Sequence, residues 1–229
     1  MTLHIRQPLP SAELDKLIDD ALSYAPTSGL YREFLKRALD IVLVLLAALP
    51  VLIVVCVVAI LVARDGRSPF YIQKRVGRGG RSFDMFKLRS MVQDADRLLE
   101  AHLAADPEAR AEWNRTQKLR RDPRITAIGR FIRKSSIDEL PQLWNVLRGD
   151  MSLVGPRPMM LDQQDIYPGT AYYALRPGVT GFWQVSVRNE SSFAERANFD
   201  TAYLRELSFK TDLKVLFKTV QVVLRGTGC

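Results

Sequence analysis

The longest uncharged stretch of the sequence covers residues 41–63 and is almost wholly apolar. At a rise of about 1.5 Å per residue, a helix of this length reaches roughly 35 Å, which is enough to cross a bilayer. The stretch lies too far from the N-terminus, and is too long, to be a signal peptide. The sequence therefore predicts one membrane-embedded helix followed by a folded domain.

Pro50 lies near the middle of this stretch, where it removes a backbone hydrogen bond at a cost of about 3 kcal/mol. Both flanks are basic, whereas a transmembrane helix collects Lys and Arg on its cytoplasmic side. We therefore predict a re-entrant helix that is kinked at Pro50 and keeps both flanks at one membrane surface, with a proline-kinked span as the alternative. Asp40 is expected to pair with Lys36 or Arg37 one turn back.

The chain has 229 residues and a formal net charge of +8, which points to an anionic partner. Its two cysteines form neither a disulfide framework nor a metal-binding spacing. A basic, membrane-anchored protein that binds nucleic acid or anionic lipid would fit the charge. No nucleic-acid partner is expected, however, because the chain lacks aromatic-rich nucleic-acid motifs.

The rest of the sequence predicts an α+β fold dominated by helices. Residues 70–72 and 83–86 read as strands, and Gly77, Gly79 and Gly80 between them predict a β-hairpin, with a phosphate-binding loop as the alternative. Residues 11–22 predict a short amphipathic helix, and residues 92–118 a helical segment interrupted near Pro107.

Two further helices are predicted from apolar periodicity. One runs from about Ile137 to Arg148 and ends at Gly149. Its predicted apolar face consists of Ile137, Leu140, Leu143, Trp144 and Leu147. The other carries an apolar stripe flanked by cations, which either lies on a membrane surface or packs in the core. That stripe comprises Leu213, Leu216, Phe217, Val220, Val223 and Leu224.

Two adjacent carboxylates, Asp138 and Glu139, stand among many cations. One carboxylate can attack phosphorus while the other holds a divalent metal, and guanidinium groups suit phosphate geometry. Hard oxygen ligands favour Mg²⁺. The alternative is structural, because Ser136 and Glu139 fit a helix capping box. The density of cations favours phosphate chemistry; they are Arg120, Arg121, Arg124, Arg130, Arg133, Lys134, Arg148 and Arg157.

From about Tyr31 to the C-terminus, the sequence resembles the bacterial sugar transferase family, the monotopic phosphoglycosyl transferases. The motifs that carry the resemblance follow in order: Lys36-Arg37 with Asp40, Gln73-x-Arg75-x-Gly77, Phe86-Lys87-Leu88-Arg89-Ser90-Met91, Ser136-Ile137-Asp138-Glu139-Leu140-Pro141-Gln142, Asn145-Val146-Leu147-Arg148-Gly149-Asp150, Val154-Gly155-Pro156-Arg157-Pro158 and Arg176-Pro177-Gly178. Two positions depart from the family pattern. Leu49 precedes Pro50 where the family commonly has serine, and Val187 stands before Arg188 where it often has glycine.

The resemblance implies transfer of a hexose-1-phosphate, galactose or glucose, from a UDP-hexose to undecaprenyl phosphate, with release of UMP. In this assignment Asp138 is the nucleophile and Glu139 the Mg²⁺ ligand. The residues implied to bind phosphate or substrate are Arg133, Arg157, Arg176, Lys87, Arg75 and Gln142.

The resemblance also implies a location and a domain plan. We expect an N-terminal amphipathic segment at 1–30, a membrane-embedded re-entrant helix at 31–66 and a cytosolic transferase domain at 67–229. The protein would be monotopic in the bacterial inner membrane, among its phospholipids, with the catalytic domain on the cytoplasmic face. It would start exopolysaccharide assembly and supply downstream glycosyltransferases; a homodimer is left open.

Overall fold

The apolar stretch forms one long helix in the computed structural model, which describes residues 29–116, 119–186 and 193–224. Helix α1 spans Lys36–Val62, between a π-helical turn at Tyr31–Leu35 and a 3₁₀ turn at Ala63–Asp65. Pro50 lies inside α1, and the helix does not end there. Within the described residues, this is the one helix long and apolar enough to cross a membrane by length and composition. The re-entrant path stays a prediction.

The predicted β-hairpin is confirmed, and its strands are longer than expected. Strand β1 (Phe70–Val76) pairs antiparallel with β2 (Ser82–Leu88). The connecting turn contains Gly79 at φ 67°, a left-handed conformation that glycine adopts without steric cost. Because a strand follows this turn, the alternative of a phosphate-binding loop that opens a helix is wrong.

Three helices follow the hairpin. The predicted interruption near Pro107 is confirmed, since α2 (Ala95–Ala105) ends before α3 (Pro107–Thr116). Asp106 Oδ1 accepts the backbone N–H groups of Glu108 and Ala109 and so caps α3. Helix α4 (Ala127–Lys134) then leads towards the two acids.

The helix predicted from about Ile137 to Arg148 is divided in two. A 3₁₀ turn at Ile137–Glu139 comes first, and α5 spans Gln142–Arg148 after Pro141. The predicted apolar face was wrong for Trp144, whose side chain is exposed, while the polar Gln142 and Asn145 are buried. The predicted end of the helix is confirmed, because Gly149 is left-handed and donates to the carbonyls of Asn145 and Val146.

A second sheet, absent from the sequence prediction, joins two loops. Strand β3 (Ser152–Val154) pairs in parallel with β4 (Gly178–Thr180). The backbones approach so closely at Gly155 and Gly178 that a Cβ atom on Gly155 would lie 2.3 Å from the carbonyl oxygen of Arg176. The glycines therefore bring the two arginine-containing loops, around Arg157 and Arg176, into one place.

A 3₁₀ turn and several helices complete the described part of the domain. A 3₁₀ turn at Leu161–Ile166 precedes α6 (Ala171–Ala174), α7 (Phe182–Val185), α8 (Arg196–Glu206) and α9 (Phe209–Leu224). The buried face of α9 carries Asp212 and Val215. Most of the apolar stripe does not pack in the core, since Leu213, Phe217 and Val220 are more than half exposed. The amphipathic helix predicted for residues 11–22 lies outside the described residues.

Both ends of α1 contact the same folded domain. Near its start, Lys36 Nζ lies 2.7 Å from Asp212 Oδ2. Asp40 accepts hydrogen bonds from Ser152 Oγ and the Leu153 backbone N–H. At the other end, Arg89 donates to the Val62 carbonyl. The predicted pairing of Asp40 holds only in part: the charge of Lys36 acts on Asp40, but the direct ion pair of Lys36 is with Asp212, and Arg37 donates to the carbonyls of Val146 and Leu147.

Candidate functional site

Asp138 and Glu139 lie on the 3₁₀ turn that joins α4 to α5. Ser136, just before them, adopts a left-handed conformation at φ 57°, and its side chain makes no cap hydrogen bond. The capping-box alternative is therefore wrong. Asp138 is 7% exposed, whereas Glu139 is half-buried. The turn thus presents one acid towards the interior and the other towards a cleft.

Lys87 connects the hairpin to this turn. Its Nζ lies 2.8 Å from Glu139 Oε1, and both side chains are mostly buried. The fully buried Asn145 holds the strand that carries Lys87. Its Oδ1 accepts the backbone N–H of Phe86, and its Nδ2 donates to the carbonyl of Asp84. This explains why a polar side chain is buried in α5: it fixes β2 against the turn with the two acids.

The pKa of Asp138 is raised, and burial is the main cause. The ammonium of Lys87 acts against burial and lowers this pKa, the neighbouring Glu139 carboxylate raises it, and the Arg133 guanidinium lowers it. Burial removes water that would otherwise solvate the carboxylate, so the anion depends on these cations. A poorly solvated carboxylate beside a cation can act as a nucleophile towards phosphorus.

One cleft, which we call the reactive cleft, contains most of the predicted site. It is lined by Arg75, Met85, Lys87, Glu139, Gln142, Arg157, Pro158, Gly178, Val179 and Gln184. Five predicted residues therefore meet, although their positions are separated by up to 82 residues in sequence (157 − 75). Burial lowers the pKa of Arg75 to about 10, and the neighbouring Arg157 contributes to the decrease. Two guanidinium groups close enough to repel each other make this cleft favourable for an anion.

Asp138 and the two remaining predicted arginines are not among the residues that line the reactive cleft. Arg133 lies close enough to Asp138 for its charge to act on that carboxyl. Arg176 Nε donates to the carbonyl of Gly149, 3.1 Å away, and the neighbouring charges are those of Arg78, Arg37 and Asp40. The loops of Arg157 and Arg176 are thus adjacent, but the Arg176 side chain contacts Gly149 instead of lining the reactive cleft with Arg157.

Several cations counted around the two acids have other partners. Arg124 binds Asp122 through two nitrogens, at 2.8 and 2.7 Å, and its guanidinium lies over the ring of Trp113. Arg148 pairs with Asp150 at 3.4 Å. The dense group of cations in the sequence is therefore divided between the site itself and ion pairs elsewhere, of which Arg124–Asp122 is buried and Arg148–Asp150 is partly exposed.

The described residues, 29–116, 119–186 and 193–224, contain no group of three or more His, Cys, Asp or Glu side chains that would hold a metal ion. Mg²⁺ does not require such a group, because it is often bound by one or two carboxylates and completed by substrate phosphates and water. Glu139, at the wall of an arginine-lined cleft, suits that mode. Mg²⁺ binding by Glu139 stays a prediction.

Comparison with known proteins identifies the family. The family model described as bacterial sugar transferase matches residues 31–226 of this chain. The chain belongs to the bacterial sugar transferase family. The matched range includes α1, the reactive cleft and both carboxylates, so the family resemblance predicted from the sequence motifs is confirmed.

Curated relatives of this chain have names that refer to lipid carriers and exopolysaccharides. It is 50% identical over 203 residues to the UDP-galactose-lipid carrier transferase of Erwinia amylovora. It is also 50% identical over 200 residues to the undecaprenyl-phosphate galactose phosphotransferase of Salmonella typhimurium. Both alignments cover 85% of this chain and 41% of the relative, so the chain spans about two fifths of their length. The exopolysaccharide production protein ExoY of Rhizobium meliloti is 43% identical, with 86% of each protein covered.

The structure has a second cleft that the sequence prediction missed. It shares Arg157 with the reactive cleft, and we call it the aromatic cleft. Its lining residues are Arg157, Met159, Tyr167, Tyr172, Trp183, Phe193, Arg196 and Asp200. The frequent aromatic residues between Tyr167 and Trp183 were the available signal. Nothing in the sequence pattern distinguished Arg196, because it reaches the cleft from a later helix.

Proposed function

We propose that this protein transfers a hexose-1-phosphate from a UDP-hexose to undecaprenyl phosphate through a covalent intermediate on Asp138. The observation that carries the proposal is a buried carboxylate, Asp138, beside the Lys87–Glu139 pair and an arginine-lined cleft. The names of the relatives support the two substrates, and the galactose in two of those names suggests a hexose.

The proposed reaction has two displacement steps at phosphorus. An Asp138 oxygen attacks the phosphorus next to the sugar, the bond from that phosphorus to the oxygen bridging to the uridine phosphate breaks, and UMP leaves. A phosphate oxygen of the lipid then attacks the same phosphorus and releases the Asp138 carboxylate. The product is a lipid diphosphate sugar. Arg75, Arg157 and Lys87 bind the phosphate oxygens, and Gln142 belongs to the same wall.

Mg²⁺ is the proposed cofactor, with Glu139 as its protein ligand and substrate oxygens completing the coordination. When bound, the ion neutralises charge on the diphosphate and thereby allows an anionic nucleophile to approach. Lys87 already partly neutralises Glu139. We expect this pair to keep the carboxylate oriented towards the cleft.

We propose that the protein is monotopic, with both ends of α1 on the cytoplasmic side of the inner membrane. A hydrocarbon layer of about 30 Å would place the two ends of a spanning helix on opposite sides. The domain, however, contacts both Asp40 and Val62. The exposed apolar stripe of α9 adds a second surface that suits the membrane interface.

Labelling tests this topology. The native cysteines, Cys56 and Cys229, are first replaced by serine, and a single cysteine is introduced at Ser11. An impermeant thiol reagent added from the periplasm should leave it unlabelled until the cells are permeabilised. Labelling in intact cells would overturn the topology proposal.

The proposed activity is tested by UMP release from a panel of UDP-sugars, with the full chain in detergent or nanodiscs and undecaprenyl phosphate as acceptor. We expect UDP-galactose or UDP-glucose to give UMP and a lipid-linked sugar. A protein that releases no UMP from any UDP-sugar, but shows salt-dependent binding to DNA, would instead support the nucleic-acid alternative.

A further inference from the structure

Asp40, near the start of the membrane helix α1, is a buried acid whose hydrogen bonds go to strand β3. Its side chain is 3% exposed. Asp40 Oδ2 accepts a hydrogen bond from Ser152 Oγ at 2.7 Å, and Oδ1 accepts the backbone N–H of Leu153 at 3.0 Å. Burying a carboxylate costs solvation free energy, which such hydrogen bonds must offset. Asp40 thereby fixes the backbone of β3 to α1.

Lys36, one turn earlier on α1, binds the next residue of β3. Its Nζ donates to the carbonyl oxygen of Val154 at 2.9 Å as well as to Asp212. Two side chains of α1 therefore pair with an N–H and a C=O group on consecutive residues of β3. Buried backbone groups require such partners, and here the membrane helix supplies them.

The loop between β3 and Arg157 has little freedom to move independently of the strand. The Gly155 N–H donates to the carbonyl oxygen of Thr180 at 2.9 Å, and the Pro156 carbonyl oxygen accepts the Gly178 N–H at 2.7 Å. The proline ring also fixes the φ angle just before Arg157. A shift of β3 would therefore be carried along the chain to Arg157.

The residues that follow Arg157 are held by the hairpin. Arg75 Nη1 donates to the carbonyl oxygen of Pro158 at 3.2 Å, and the Val76 N–H donates to that of Met159 at 3.0 Å. Arg157 thus lies between a segment fixed to α1 and a segment fixed to β1, and it lines the reactive cleft together with Arg75. The relative position of these two guanidinium groups depends on both attachments.

We propose that Asp40 is a positioning residue for Arg157: by fixing β3 to the membrane helix, it sets the place of this guanidinium in the reactive cleft. Asp40 itself is not among the residues that line the cleft and acts only through β3. Helix α1 is then part of the framework of the phosphate-binding site as well as a membrane anchor. The inference rests on the proposed function for the assignment of Arg157 to a phosphate.

The test is a double-mutant cycle, read out as binding of inorganic pyrophosphate by the full chain in nanodiscs and measured by isothermal titration. Pyrophosphate presents two linked phosphates, and its binding does not require catalysis. Asp40→Ala should raise the Kd about tenfold, because a misplaced guanidinium loses part of its charged hydrogen bonding. In an Arg157→Ala background the same change should have no further effect, because the group that Asp40 positions is gone.

A conservative variant distinguishes positioning from charge. The amide oxygen of Asp40→Asn can still accept the Leu153 N–H, so this variant should keep most of the affinity for pyrophosphate. If Asp40→Ala does not fold, Ser152→Ala replaces it in the cycle. Ser152→Ala removes one of the two hydrogen bonds and should raise the Kd about threefold, again only when Arg157 is present.

Asp65→Ala is the matched control. Asp65 lies just beyond the other end of α1, where it pairs with Arg89 at 2.6 Å and so also joins this end of the helix to the domain. The same chemical change here removes a contact near α1 without touching β3. The Kd for pyrophosphate should therefore stay at the wild-type value.

The outcomes separate this inference from the proposed function. An effect of Asp40→Ala that is equally large without Arg157, or a wild-type Kd in Asp40→Ala, would overturn the inference alone. An active enzyme should show the same dependence on Arg157 in kcat/KM for the UDP-sugar, and independent effects there would also overturn it. A protein that transfers no sugar phosphate but shows the coupled loss of pyrophosphate affinity would refute the activity and support the inference. A protein with neither binding nor transfer would refute both.

Discussion

Lys87 Nζ lies 2.8 Å from Glu139 Oε1, and the same ammonium group acts electrostatically on the buried Asp138. One cation therefore stabilises both carboxylates of the site. Its position depends on Asn145, which binds the backbone on either side of Met85 in the strand that carries Lys87. The site is thus formed by contacts between the hairpin and the turn before α5.

Replacing Lys87 by Met should shift the acidic limb of the pH–activity profile to higher pH. Lys87 lowers the pKa of Asp138, so its removal lets burial and Glu139 raise that pKa further. A higher pH is then needed to ionise the nucleophile. Activity at neutral pH should fall by roughly a hundredfold. The measurement is kcat against pH, and an unchanged acidic limb would contradict the prediction.

Lys74→Met is the matched control for this variant. Lys74 lies on the neighbouring strand and forms an exposed pair with Asp84 at 3.3 Å. The same change in charge and shape at this position should leave the pH profile unchanged. A parallel shift in both variants would indicate a general effect of net charge.

Glu139→Gln should have two separable effects. Loss of the proposed Mg²⁺ ligand raises the Mg²⁺ concentration needed for half-maximal activity. The carboxylate of Glu139 also raises the pKa of Asp138, so its neutralisation should move the acidic limb to lower pH, opposite to Lys87→Met. Activity measured across a Mg²⁺ titration and a pH series distinguishes the two, and full activity at limiting Mg²⁺ would exclude Glu139 as the ligand.

Asp138→Asn should abolish sugar-phosphate transfer and any covalent phosphosugar adduct, because an amide cannot serve as the nucleophile. Intact-protein mass spectrometry after incubation with UDP-sugar alone detects the adduct in the wild type. Asp84→Asn provides the control, since it makes the same chemical change at a half-exposed carboxylate in a surface pair. Normal turnover by Asp138→Asn would refute the proposed mechanism.

The hairpin and the end of α5 could be predicted because single residues determine them. The backbone has a positive φ at Gly79 and at Gly149, and glycine adopts this conformation without strain. The start of α5 was mispredicted because apolar spacing continues through Pro141, although proline lacks the N–H that a continuous helix needs there. Local chemistry at one residue therefore overrode the periodic pattern.

The site itself was only partly predictable. The motifs contained Asp138, Glu139 and Lys87, yet sequence alone did not indicate that Lys87 pairs with Glu139. The parallel pair β3–β4 consists of strands of three residues each, too short for any periodic signal. Arg196 was missed for a related reason, because its contacts with Trp183 and Phe193 exist only after the chain has folded.

The buried Asp200 should make stability depend on pH. Burial raises its pKa to about 7, against about 3.9 in an unfolded chain, while Tyr167 and Arg196 act to lower it. Between these values the folded state binds the extra proton, so the free energy of unfolding falls as pH rises from about 4 to about 7. The loss is at most about 4 kcal/mol. In Asp200→Asn this contribution should be absent, which Tm measured across that pH range will test; identical pH dependence in both proteins would contradict it.

Asp212→Ala should destabilise the protein by about 3 to 5 kcal/mol, because it leaves the mostly buried Lys36 without its carboxylate. Asp212 also accepts hydrogen bonds from Tyr31 and Tyr203. For a chain of this size, the Tm should fall by about 10 °C. Lys214→Ala, an exposed change on the same helix, should leave the Tm within about 2 °C. An equal Tm for Asp212→Ala and the wild type would show that the contacts of Asp212 with Lys36, Tyr31 and Tyr203 contribute little to stability.

The contact between Lys36 and Asp212 also bears on biosynthesis. The two residues are separated by 176 positions, so α1 leaves the ribosome long before its partner on α9 exists. Until then, Lys36 lacks its carboxylate partner, although Ser152 and Leu153, the partners of Asp40, have already been synthesised. The final position of α1 against the domain must therefore follow synthesis of α9. Nascent chains released before α9 should reach the bilayer with a loosely held first helix and should be degraded preferentially by membrane proteases.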